Sequence, residues 1–77
     1  MGKDQVIFVD SSSILISTDV KLIRIRCPFK VICVMEVNEI KSGQIKSVWS
    51  VYPSEIHRLL YLIDNKLFVY SYFRVSS

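Results

Sequence analysis

The stretch Leu59–Val75, LLYLIDNKLFVYSYFRV, limits the fold of this chain more than any other segment. Two apolar runs flank the polar pair Asp64-Asn65, and twelve of the seventeen residues are apolar or aromatic. Asp and Asn tolerate positive φ, so this pair between aliphatic and aromatic residues reads as the tip of a β-hairpin. The hairpin sets Leu62 opposite Leu67, Tyr61 opposite Phe68 and Leu60 opposite Val69. Tyr61 and Phe68 then share one face, and Leu60 and Val69 share the other. Both faces are apolar, so the core covers one and something else has to cover the second. A competing reading makes residues 55–64 a short amphipathic helix, with Ser54 as N-cap and Ile56, Leu59, Leu60 and Ile63 at helical spacing. Tyr61 and Leu62 fall off that stripe, and His57 stands where a capping box wants Glu or Gln. The hairpin is the favoured reading, and Lys66–Val75 is a strand under either.

Seventy-seven residues make one domain, residues 1–77. A chain this short buries only about 60% of the surface its unfolded form exposes. Yet 51% of its residues are hydrophobic and 22% charged, with two Gly and two Pro, which excludes a disordered or linker-like chain. Apolar excess in so small a domain points to surface hidden in an oligomer or against a partner. The longest uncharged, largely apolar runs are Val31–Met35, Leu59–Ile63 and Leu67–Phe73. All fall far short of the roughly 20 residues a spanning helix needs. Met1-Gly2 lacks the hydroxyl residue that myristoylation wants, since Val6 occupies its place. Asp4 and Asp10 interrupt any signal-peptide core. The expectation is a cytoplasmic protein with no membrane contact.

Strand signals fill the rest of the chain. Gln5–Val9 is a short strand apolar on both faces, Asp10–Ser13 a turn, and Ile14–Ile16 a second strand closed by Ser17-Thr18-Asp19. Val20–Cys27 alternates Ile23, Ile25 and Cys27 with Arg24 and Arg26, a half-buried strand with one cationic face. Pro28 ends or bends it. Val31–Ile40 and Ile45–Tyr52 surround Ser42-Gly43 as a second ribbon. The expected register pairs Ile40 with Ile45, Glu39 with Lys46, Val37 with Val48 and Glu36 with Trp49.

The fold expected is all-β, a small barrel or curled antiparallel sheet of five or six short strands, with an α+β fold as the alternative if 55–64 is helical. The ribbons around Ser42-Gly43 and Asp64-Asn65, and the terminal Tyr70-Ser71-Tyr72-Phe73-Arg74-Val75, give residues 20–76 a pattern that resembles the SH3-like barrels of small bacterial and phage proteins. Such barrels often turn once before a closing strand, as this terminal segment would. No ALYDY-like run precedes the first ribbon, so binding of proline-rich peptides does not carry over.

Chemistry-bearing patterns are sparse. His57 is the only histidine, and no Gly-rich phosphate loop, catalytic carboxylate pair or set nucleophile accompanies it. Cys27 and Cys33 would lie roughly 20 Å apart in one extended strand and have no metal-ligand spacing, so they read as reduced thiols. Cys33 is expected to fill core beside Val31 and Met35. Cys27, next to Arg26 and Lys30, is open to a lowered thiol pKa from their positive charge, but no base accompanies it. The chain is therefore expected to be non-enzymatic, with no cofactor and no metal site. The leading expectation is a protein-interaction or self-assembly module, a homo-oligomer at its simplest, that uses Trp49, Tyr61, Phe68, Tyr70 and Tyr72. At least half of the aromatic residues are expected to be core. The alternative is a nucleic-acid-binding barrel: Lys21, Arg24, Arg26 and Lys30 give residues 20–35 four cations and no acid, against a net +3 for the whole chain, with Trp49, Tyr52, Tyr70 and Tyr72 available as stacking platforms.

Overall fold

The structure, a computed structural model, describes residues 5–76. Nine strands run through them in chain order. They are β1 (Gln5–Asp10), β2 (Ser13–Ser17), β3 (Leu22–Arg26), β4 (Phe29–Cys33), β5 (Ile45–Val48), β6 (Ser50–Ser54), β7 (Arg58–Ile63), β8 (Lys66–Val69) and β9 (Phe73–Val75). A one-turn 3-10 segment, Tyr70–Tyr72, joins the last two. The strands form three antiparallel sheets in the orders β1-β2-β3, β5-β4-β9 and β6-β7-β8, and none of the three closes into a barrel. The all-β expectation holds, but five or six strands become nine because bends split continuous runs. Pro28 separates β3 from β4, Trp49 separates β5 from β6, and the 3-10 turn separates β8 from β9.

The hairpin is present over Arg58–Val69 in the expected register, with Leu60 opposite Val69, Tyr61 opposite Phe68 and Leu62 opposite Leu67. The expected strand Lys66–Val75, however, breaks at Tyr70–Tyr72, and Phe73–Val75 pairs with β4 instead. Asp64 and Asn65 adopt φ of 51° and 62°, the left-handed pair that a two-residue hairpin loop with matching twist requires. Residues 55–64 hold no helix. Ser54 does accept a hydrogen bond from the His57 amide at 3.1 Å, as an N-cap would. That turn stops at Arg58, whose φ is 70°. Beyond it Leu59, Tyr61 and Ile63 alternate into the core, and period-two burial of three large side chains outweighs one capped turn.

The second ribbon takes a different register from the one expected. Phe29 lies opposite Val48, Lys30 opposite Ser47, Val31 opposite Lys46 and Ile32 opposite Ile45. Ser42-Gly43 does turn the chain, with the Gln44 amide donating to the Lys41 carbonyl, but it is not the tip of a long ladder. Residues 34–44 form an irregular excursion in which Val37 bridges Ile40 and Asn38 takes a φ of 52°. The reason is burial. Ile40 is withdrawn from the ladder to plug the core, and the observed register buries Phe29, Val31, Cys33 and Val48 together. Lys46 finds its carboxylate in Asp64 at 2.9 Å instead of Glu39. Met35 is exposed, and Cys33 meets it at its backbone, the thiol donating to the Met35 carbonyl at 3.1 Å.

One core joins the sheets. Ile14 and Ile16 come from the first, Phe29, Val31, Cys33, Val48 and Phe73 from the second, and Val51, Leu59, Tyr61, Ile63 and Phe68 from the third. The Ser11 carbonyl stitches the first sheet to the third, accepting from the Val51 amide at 2.9 Å and the Ser50 hydroxyl at 3.2 Å. No helix among the described residues is long and apolar enough to cross a membrane.

Candidate functional site: an uncovered apolar sheet face

Strand alternation assigns the two faces of the β6-β7-β8 sheet. Val51, Leu59, Tyr61, Ile63 and Phe68 point into the core and are all buried. Tyr61 is the hub of that face. Its ring meets Phe29 edge-on at 5.6 Å, Tyr70 at 6.4 Å and Phe73 at 6.3 Å, and Phe68 meets Phe73 at 5.9 Å. Burial, reinforced by the neighbouring Tyr70 and Cys27, pushes the Tyr61 hydroxyl far above the ordinary tyrosine range. Tyr61 and Phe68 therefore serve as core, which removes them from any contact surface. Tyr70 and Tyr72 are half-buried against the core edge. Of the five aromatic residues singled out from the sequence, only Trp49 is fully available, at 60% exposure.

The opposite face carries two cross-strand rows. Tyr52, Leu60 and Val69 form one, and Ser50, Leu62 and Leu67 form the next. Five of these six positions are apolar or aromatic, and Leu67 is more than half exposed. The Trp49 amide donates to the Leu62 carbonyl at 3.0 Å, which sets the indole-bearing residue at the end of the second row. Arg58 and Ser54, paired at the other end, close the patch with polar groups. Scattered exposed leucines are ordinary in a monomer, whereas a contiguous apolar block with a polar rim is the usual form of a contact surface. Leu60, Leu62, Leu67 and Val69 were not singled out as site residues from the sequence; their signal lay in the two-faced apolar pattern of residues 59–69, which Tyr52 joins only through its pairing with Leu60.

The cationic residues are spread over more than one sheet. Arg24 and Arg26 share the outer face of β3, and Lys21 sits in the turn before it. Lys30 belongs to β4 in the second sheet. Arg24 is engaged, with its guanidinium 3.8 Å from the Asp10 carboxylate and donating to the Ser13 hydroxyl at 3.3 Å. Asp10 also accepts from the Ser12 amide and from the Ser12 and Ser13 hydroxyls. These bonds, the Ser12 amide foremost, and Arg24 last, hold its carboxyl below the usual range. Phe8 is the one aromatic residue of the first sheet, and it lies on β1, two strands from the arginines. Trp49, Tyr52, Tyr70 and Tyr72 belong to the segment from Trp49 onward and form no platform within that sheet.

The remaining groups are quieter. His57 is exposed in the turn between β6 and β7. Cys27 and Cys33 are both free thiols. Burial, with the Asp10 charge second, raises the Cys27 thiol pKa, so the lowering considered for Arg26 and Lys30 does not occur. The first sheet adds exposed Ile7, Phe8 and Val9, from the strand read as apolar on both faces, and Leu22 and Ile23, from the strand read as half-buried with one cationic face. Comparison with known protein families, curated proteins and solved structures finds no match.

Proposed function

We propose that the protein is a non-enzymatic interaction module whose working surface is the outer face of the β6-β7-β8 sheet, and that a second copy of the chain is its first partner. The observation that carries this reading is the block of Tyr52, Leu60, Leu62, Leu67 and Val69 on one face, where Tyr52 and Leu67 are exposed and the other three half-buried. The same residues keep the chain from standing alone comfortably, because each large apolar side chain moved out of water contributes about 1.5–3 kcal/mol. An isologous contact suits this face, since its centre carries no charge that would repel its own copy. A cytoplasmic setting goes with the proposal and is supported by two unpaired cysteines.

The architecture fits an SH3-like scheme as part of the same proposal. Support comes from the bend at Trp49 between β5 and β6, the 3-10 turn ahead of the closing strand β9, and the Ser11 link between first and third sheets. The nucleic-acid reading has less behind it. Its four cations are divided between sheets, and no aromatic stacking surface adjoins the arginines.

Light scattering after gel filtration tests the proposal. The wild-type chain should run heavier than 8.9 kDa as its concentration rises, and Leu67→Lys should restore the monomer without loss of folding. A strict monomer at high concentration that also captures no protein partner would overturn it.

A further inference from the structure

A second surface lies on the far side of the molecule's first sheet, at the free edge of β3. That strand pairs with β2 on one side only, and among the described residues nothing pairs with its other side. The hydrogen-bond phase of the ladder is fixed at both ends. The Thr18 amide donates to the Lys21 carbonyl at 2.9 Å, and the Cys27 amide donates to the Ser12 carbonyl at 2.7 Å. Bonded pairs alternate along an antiparallel ladder, so Ile16–Ile23 and Ile14–Ile25 are the bonded pairs between those ends. Leu22, Arg24 and Arg26 therefore turn their amides and carbonyls outward, away from β2. Their side chains share the sheet's outer face, while Ile23 and Ile25 line its inner face and leave Ile23 at 37% exposure.

Such an edge offers three outward donors and three outward acceptors beside two guanidinium groups. Arg26 makes no ion pair among the described residues, and Arg24, although it donates to the Ser13 hydroxyl at 3.3 Å and lies 3.8 Å from the Asp10 carboxylate, keeps a half-exposed side chain with further donors. We propose that the β3 edge binds an extended acidic peptide segment by strand addition, with carboxylates opposite Arg24 and Arg26 and apolar residues beside Leu22, Ile23 and Ile25. In an antiparallel arrangement the incoming segment reads acidic, apolar, acidic, apolar, apolar from its N-terminus. The acidic positions fall opposite Arg26 and Arg24, and the final apolar residue falls opposite Leu22. Backbone bonds supply affinity in this mode, and the alternating side chains supply selectivity. A nucleic acid could use the same guanidinium groups and offer phosphate oxygens to the amides, but it has no regular series of donors at strand spacing for the outward carbonyls, which is why a peptide is the better match. This surface is separate from the β6-β7-β8 face and does not depend on it.

The test is an amide NMR titration of the full chain with a synthetic peptide built around Glu-Val-Glu-Val-Leu. The amides of Leu22, Arg24 and Arg26 should shift and exchange more slowly with solvent, and those around Leu67 should stay still. Arg26→Glu, an exposed change that keeps the fold, should weaken binding about tenfold, the scale of one charge-assisted contact. Leu22→Pro removes an outward donor without touching the β2 ladder and should weaken it as well. A Lys-Val-Lys-Val-Leu peptide should leave the spectrum unchanged, and Leu67→Lys should leave the titration as it is in the wild type. Silence of the β3 amides at millimolar peptide overturns the proposal. So does a single-stranded oligonucleotide that moves them at low salt while the peptide does not.

Discussion

Tyr61 shows what one residue contributes to a core this small. It is buried on the inner face of β7 and touches three other aromatic rings. Tyr61→Ala should cost about 3–5 kcal/mol of unfolding free energy, a large part of what a small domain has. Tyr61→Phe keeps the ring contacts and should cost far less, and urea unfolding of both variants checks the contrast. Asp10 makes a prediction in pH. Its folded pKa lies below the ordinary 3.8, so its contribution is full above that value and disappears as pH falls through the lower folded pKa. Melting temperature followed through this acid range should therefore fall more steeply for the wild type than for Asp10→Asn. At this scale the fold was only partly legible in the sequence. That Tyr61 and Phe68 share a face followed from alternation alone. Whether that face was core or contact surface did not follow, because buried cores and interfaces prefer the same aromatic side chains.

At the scale of elements, the two turn regions behave differently, and the contrast explains which registers could be read. The Asp64-Asn65 loop is two residues long, so its geometry fixes the pairing of β7 with β8 outright. Asn65→Val should cost about 1–2 kcal/mol, because a β-branched residue resists left-handed backbone, while Asn65→Gly should hold or slightly raise stability. Gly43 adopts a φ of 94° with no atom near the place a Cβ would take. Gly43→Ala should therefore cost about 1–2 kcal/mol from backbone strain alone. Chemical denaturation distinguishes these outcomes. The β4–β5 register was not legible, because the strands are separated by an eleven-residue excursion, residues 34–44, that has no tight turn joining them directly. The local Glu39–Lys46 and Ile40–Ile45 complementarity was real in the sequence. It was overridden by burial of Ile40 in the core and by a distant carboxylate, Asp64, that only the folded chain brings to Lys46.

At the scale of the whole molecule, the apolar excess of the sequence divides into a core and a remainder on the surface. The three sheets share one core, yet the outer face of β6-β7-β8 keeps Tyr52 and Leu67 exposed and Leu60, Leu62 and Val69 only partly shielded by their neighbours. The existence of this second apolar face was readable from residues 59–69. Its extension to Tyr52 and Trp49 was not, since β6 and the bend before it join the sheet through pairing distant in sequence. Trp49 is the chain's single tryptophan, it is exposed, and its amide donates to Leu62 of this sheet, so its fluorescence is the nearest intrinsic reporter of a partner approaching the face. The decisive measurement is its emission maximum as concentration rises from about 1 μM to about 1 mM, the range over which modest self-association sets in. If a second copy covers the face, emission moves to shorter wavelength with concentration in the wild type and stays put in Leu67→Lys. Emission typical of a water-exposed indole at every concentration, in both proteins, would contradict it.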